Sequence, residues 1–143
     1  MKKNLSFPSF MSVKLYAIGK KSTYLLTSFY DQVTQLKIQA LSNEDYSLKW
    51  ERTVIYKNVC CPDLFDFNNI IVDSKENVYF SFNPDSNDNS HLYIFSFNGL
   101  TGQQNWNLTF FGNSFTSNSL LLNSLETTLY ISYSAFPNPN QWG

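Results

Sequence analysis

Residues 93–109, YIFSFNGLTGQQNWNLT, have an earlier counterpart in the chain. They align without a gap on residues 37–53, KIQALSNEDYSLKWERT, which sets Ile38 against Ile94, Leu41 against Phe97 and Trp50 against Trp106 at an offset of 56. A second pair, residues 70–82 (IIVDSKENVYFSF) and 121–133 (LLNSLETTLYISY), aligns at an offset of 51 and places Tyr79 on Tyr130 and Ser81 on Ser132. Self-similarity at a fixed period of this size marks a supersecondary unit that buries its apolar surface by stacking on copies of itself.

The unit is built of strands. Its apolar segments are short, β-branched or aromatic, and separated by clusters of Asn, Ser, Asp and Gly. Strands are expected at 23–30, 36–42, 47–54, 69–73, 77–82, 91–97, 104–111, 119–123 and 128–133, and no segment reads as a helix. Side chains alternate between faces along a strand, so Tyr93, Phe95 and Phe97 share one face while Ile94 and Ser96 share the other. Val78, Phe80 and Phe82 oppose Tyr79 and Ser81 in the same way. Apolar bulk on both faces predicts sheets covered on both sides. About four short antiparallel strands per period is the composition of a propeller blade, whereas a sandwich needs no repeat. Thr101-Gly102 reads as a tight turn that uses the left-handed freedom of Gly. Trp50 and Trp106 follow the two corresponding turns and read as core residues. Tyr46 and Ser42 stand where the later copy has Gly102 and Asn98, which counts against a regular turn in the first copy.

Composition narrows the function classes. The 143 residues carry 10 Lys and Arg against 11 Asp and Glu, a balance with no global field to draw the chain to nucleic acid or an anionic membrane. At 17% aromatic and 15% charged, the chain is suited to a packed core rather than to disorder. No apolar run approaches the roughly 18 residues of a membrane span. Lys2 and Lys3 open the chain as a signal peptide would, but Ser6, Pro8, Ser9, Ser12 and Lys14 interrupt the apolar stretch that should follow, so residues 1–13 read as a tail. Residues 14–143 then hold the repeats, in copies of about 14–58, 59–112 and 113–143, the last lacking its second half.

Candidate chemistry is sparse. Cys60 and Cys61 are adjacent, so they cannot staple distant segments; they read as two reduced thiols or as a strained vicinal disulfide. Asn4 and Asn107 begin N-x-S/T sequons, relevant only to a secreted chain. Asp85, Asn87 and Asn89 alternate like the first ligands of a calcium loop, but Ser90 replaces the required Gly and Ser96 the closing Glu. A solvated hairpin loop is the simpler reading. His91 has no G-x-S-x-G partner. Asp63, Asp66 and Asp73 read as turn residues rather than an acid–base group, and no glycine-rich phosphate loop occurs. No catalytic residue, metal or cofactor is expected from these patterns.

The run from Leu92 to Trp106, with Leu92-Tyr93-Ile94-Phe95, Thr101-Gly102 and Trp106 four residues after the Gly, resembles the PQQ-type repeat of quinoprotein-alcohol-dehydrogenase-like β-propellers. Asp73-Ser74-Lys75-Glu76-Asn77-Val78-Tyr79 is similar to that family's inner hairpin. The resemblance covers residues 15–133 and implies antiparallel four-stranded blades of an incomplete propeller, with the Trp side chains packed across neighbouring blades. Closed propellers take about four to eight blades, more than this length supplies. The implied role is non-catalytic protein binding or assembly, with a protein partner or self-association completing the ring. The alternative implied by the same family is a fragment of a quinoprotein dehydrogenase, in which a Cys60–Cys61 disulfide would lie against the quinone.

Overall fold

In a computed structural model, residues 11–31, 33–55, 66–83, 91–111 and 115–135 are described. They form ten strands: β1 (Met11–Ile18), β2 (Ser22–Asp31), β3 (Val33–Ser42), β4 (Leu48–Ile55), β5 (Asp66–Val72), β6 (Asn77–Asn83), β7 (His91–Asn98), β8 (Gln104–Phe111), β9 (Phe115–Leu122) and β10 (Leu129–Ala135). Among the described residues there is no helix. The chain is all-β, with three antiparallel sheets ordered β1-β2-β3-β4, β5-β6-β7-β8 and β10-β9.

All nine expected strands are present, with shifted ends, and β1 is additional. It begins at Met11, inside the segment read as a tail. Its pairing with β2 shifts register between Val13 and Leu15. The bulge interrupts the period-two alternation that would have betrayed the strand. Past it, Leu15 and Ala17 pack against the core while Tyr16 and Ile18 face outward.

The first two sheets repeat each other in detail. The β3–β4 pairing shifts between Ala40 and Leu41, and the β7–β8 pairing between Ser96 and Phe97, 56 residues on. The turns correspond as well. Ser42 N–H donates to Ser47 O and Tyr46 N–H to Ser42 O; Asn98 N–H donates to Gln103 O and Gly102 N–H to Asn98 O. Tyr46 adopts φ 58° where Gly102 has 71°, so the first turn is regular although it lacks the glycine. Side chains lock both turns: Ser42 Oγ accepts from Glu44 N–H and Asp45 Oδ1 from Ser47 N–H, while Asn98 Oδ1 accepts from Leu100 and Thr101 and Thr101 Oγ1 from Gln103. These local bonds offset the cost of the left-handed residue.

The second sheet is the middle layer. On one side Ile70, Val78, Phe80, Phe82, Phe95 and Phe97 meet Tyr24, Leu26, Leu36, Ile38, Ala40 and Trp50 of the first sheet. Phe80 stacks on Phe95 at 5.5 Å and on Phe97 at 5.9 Å between ring centroids. On the other side Leu92 and Ile94 are covered by Leu129 and Ile131 of β10. Removing one of the stacked rings leaves a void in a two-sided layer: Phe80→Ala should lower the unfolding free energy by about 3–5 kcal/mol in denaturant titrations.

Candidate functional site

The contact between sheets is a repeated device. In the β5–β6 turn Asp73 Oδ1 accepts from Lys75 and Asn77 N–H, which leaves Glu76 at φ 67° and 4% exposed. Its carboxylate reaches back to the first sheet, Oε1 accepting from Lys21 N–H at 2.9 Å and Oε2 from the Tyr24 hydroxyl at 2.5 Å. Its carbonyl accepts from Gly99 N–H at 2.7 Å. A Cβ on Gly99 would collide with that carbonyl and with the Tyr24 hydroxyl, so only glycine fits there. The third sheet repeats the arrangement against the second. Asn123 Oδ1 accepts from Thr127 and Thr128 N–H, Glu126 sits at φ 55°, and its carboxylate accepts from the Ser74 N–H at 2.8 Å and from the Ser74 hydroxyl.

Beside each glutamate lies a tyrosine–tryptophan pair. Tyr24 and Trp50 have ring centroids 6.2 Å apart at 41°, and Tyr79 and Trp106 have theirs 6.0 Å apart at 45°. Trp50 is 8% exposed because the β7–β8 turn covers it. Its indole N–H donates to Gly99 O at 2.6 Å, and a Cβ on Gly102 would stand 2.7 Å from the ring. Trp106 is 37% exposed, against the expectation of a core residue. The position that a third–fourth-strand turn would take over it has no counterpart, since the third sheet has only two strands among the described residues.

This leaves an open apolar end. Trp106, Leu108 and Phe110 project from one face of β8, Leu108 at 49% exposure. The outer edge of β10 has no neighbouring strand among the described residues. Tyr130, aligned with Tyr79, is also exposed, paired with Leu121 on the far face of the third sheet. On the side of the first sheet turned away from the second, Thr27, Lys37 and Gln39 take the positions that Phe82, Tyr93 and Phe95 hold in the second; Thr27 and Gln39 are buried, and Lys37 Nζ and Gln39 Nε2 both donate to Glu51.

The remaining sequence candidates do not converge on one site. Asn107 is exposed on β8. Asp73 accepts from Tyr79 O–H and from Asn77, as the cap of a turn. His91 packs edge-on against Phe111 at 4.9 Å. Asn4, Cys60, Cys61, Asp63, Asp85, Asn87 and Asn89 lie outside the described residues. Among the described residues no group of three His, Cys, Asp or Glu is placed to hold a metal ion, and no helix is long and apolar enough to cross a membrane. A shallow cavity of about 370 Å³ near the turns is lined by Lys20, Lys21, Ser42, Asn43, Glu44 and Lys49. Sequence reasoning missed Glu76 and Glu126, although Asp73-Ser74-Lys75-Glu76 and Asn123-Ser124-Leu125-Glu126 share an Asx-Ser-x-Glu pattern. No protein-family description, curated protein or solved structure matches the chain.

Two outcomes follow from this geometry. Trp50→Ala should destabilise the fold by about 3–5 kcal/mol, and Trp106→Ala by less than half as much, in paired denaturation curves. Burial, and then the bond to Asp73, push the Tyr79 hydroxyl up to about 12; burial and the bond to Glu76 raise Tyr24 as well. Raised tyrosines contribute stability that is intact below the unfolded value of 10.0 and is lost as pH climbs through the folded one. Stability should therefore fall in base from about pH 10 upward. A Tyr24→Phe, Tyr79→Phe double variant should show a shallower fall in the same titration.

Proposed function

We propose that the three sheets are successive blades of an incomplete β-propeller of the PQQ-type repeat, and that the chain is a non-catalytic module for protein binding or assembly. The observation that carries this reading is the paired contrast of Trp50 and Trp106. The same aromatic pair, at nearly the same centroid separation, is covered on one sheet and partly exposed on the next. A contiguous exposed apolar patch next to an unpaired strand edge is a surface for association. The glutamate ties, recurring from sheet to sheet, support a stack of equivalent units rather than two unlike layers. The alternative of a quinoprotein dehydrogenase fragment rests on Cys60 and Cys61, which the described residues do not include.

Light scattering tests the module reading. Without a partner the chain should associate beyond a 16.6 kDa monomer as its concentration rises. Leu108→Lys, which puts a charge in the middle of the patch at an exposed position, should return it toward the monomer. A wild-type chain that stays monomeric at high concentration would count against an open apolar end.

A further inference from the structure

The way the first sheet is covered specifies what fits over the second. Trp50 is closed over by the turn between the third and fourth strands of the neighbouring sheet, through a glycine carbonyl on the indole N–H and a glycine against the ring. Trp106 presents the same chemistry with its indole N–H unpartnered among the described residues. The strands needed to cover it would continue the third sheet past β10. β9 packs against β5, β6 and β7, so strands added at the outer edge of β10 would lie over β7 and β8, where Trp106, Leu108 and Phe110 are exposed. Two strands bring the third sheet to the count of the other two.

On the binding-module reading above, we infer that the β10 edge and the β8 stripe together seat a two-stranded β-hairpin of a partner polypeptide. Its first strand adds antiparallel to β10 through main-chain hydrogen bonds, and its alternate side chains supply specificity. Its inward face is apolar, to cover Leu108 and Phe110. Its turn carries glycines in the Asn-Gly-x-Thr-Gly pattern, because at the equivalent position a Cβ would stand 2.7 Å from the indole. A free carbonyl in that turn accepts from Trp106.

A second copy of this chain does not meet these terms. Its own hairpins of this kind are held in their sheets by β2 and β6.

The probe is a fluorescein-labelled peptide of residues 91–111, the chain's own β7–β8 hairpin, titrated into the full 143-residue chain and followed by anisotropy. Saturable binding is expected, weakened about tenfold or more by Trp106→Ala or Leu108→Lys in the chain. Trp106→Phe keeps the ring and loses the N–H, and should weaken binding about fivefold. A peptide carrying Gly102→Val should bind at least about tenfold more weakly. Peptide binding that ignores the Trp106 variants overturns the site. If the peptide fails to bind while the chain self-associates in a manner abolished by Leu108→Lys, the hairpin occupant falls and the module reading stands. Absence of both peptide binding and association removes the two together.

Discussion

The carboxylate of Glu76 is the constraint on which the stack depends. It is buried between two sheets, on a residue whose backbone is left-handed, and both of its oxygens are committed to donors on the neighbouring sheet. A buried carboxylate is costly unless its bonds are made, so the position is stable only while the two sheets keep their spacing. The apolar layer of Phe80, Phe82, Phe95 and Phe97 supplies most of the burial but little direction. Glu76 supplies direction: it fixes which turn lies against which, and thereby places the glycines of the β7–β8 turn on Trp50. Glu126 does the same against Ser74.

Much of this was legible in the residues. The alternation of Tyr93, Phe95 and Phe97 with Ile94 announced a layer covered on both faces, and the offset of 56 aligned the two turns, although neither the bulges beside them nor the regularity of the first turn could be read from it. The glutamates were hidden by a single insertion. A gapless match at 51 sets Thr127 under Glu76, whereas the structure pairs Glu76 with Glu126 because the β9–β10 turn is one residue longer. Tyr46 was misleading for another reason: the turn is set by Ser42 and Asp45 at its ends, which tolerate a left-handed tyrosine between them. The exposure of Trp106 was not readable at all, since the residue that would bury it belongs to a position beyond β10 and not to its own neighbourhood.

The two ends of the stack are chemically unlike. Thr27, Lys37 and Gln39 lie on the side of the first sheet turned away from the second, at positions where the second sheet has rings; Thr27 and Gln39 are buried there and Lys37 is half-buried. The β8 face instead carries exposed Trp106, Leu108 and Phe110.

The hydrogen bonds from Lys21, Tyr24, Trp50 and Arg52 of the first sheet to the second end on the β5–β6 and β7–β8 turns, at one rim of the sheets. Away from that rim the sheets meet through apolar side chains such as Leu36 and Phe80. The arrangement works like the spine of a book. Directional bonds hold one margin at fixed spacing, while the angle at which the pages open is set by the volumes packed between them at the free margin. The angle of one sheet on the next is therefore set by apolar volumes such as Leu36 and Phe80 rather than by the bonds at the rim.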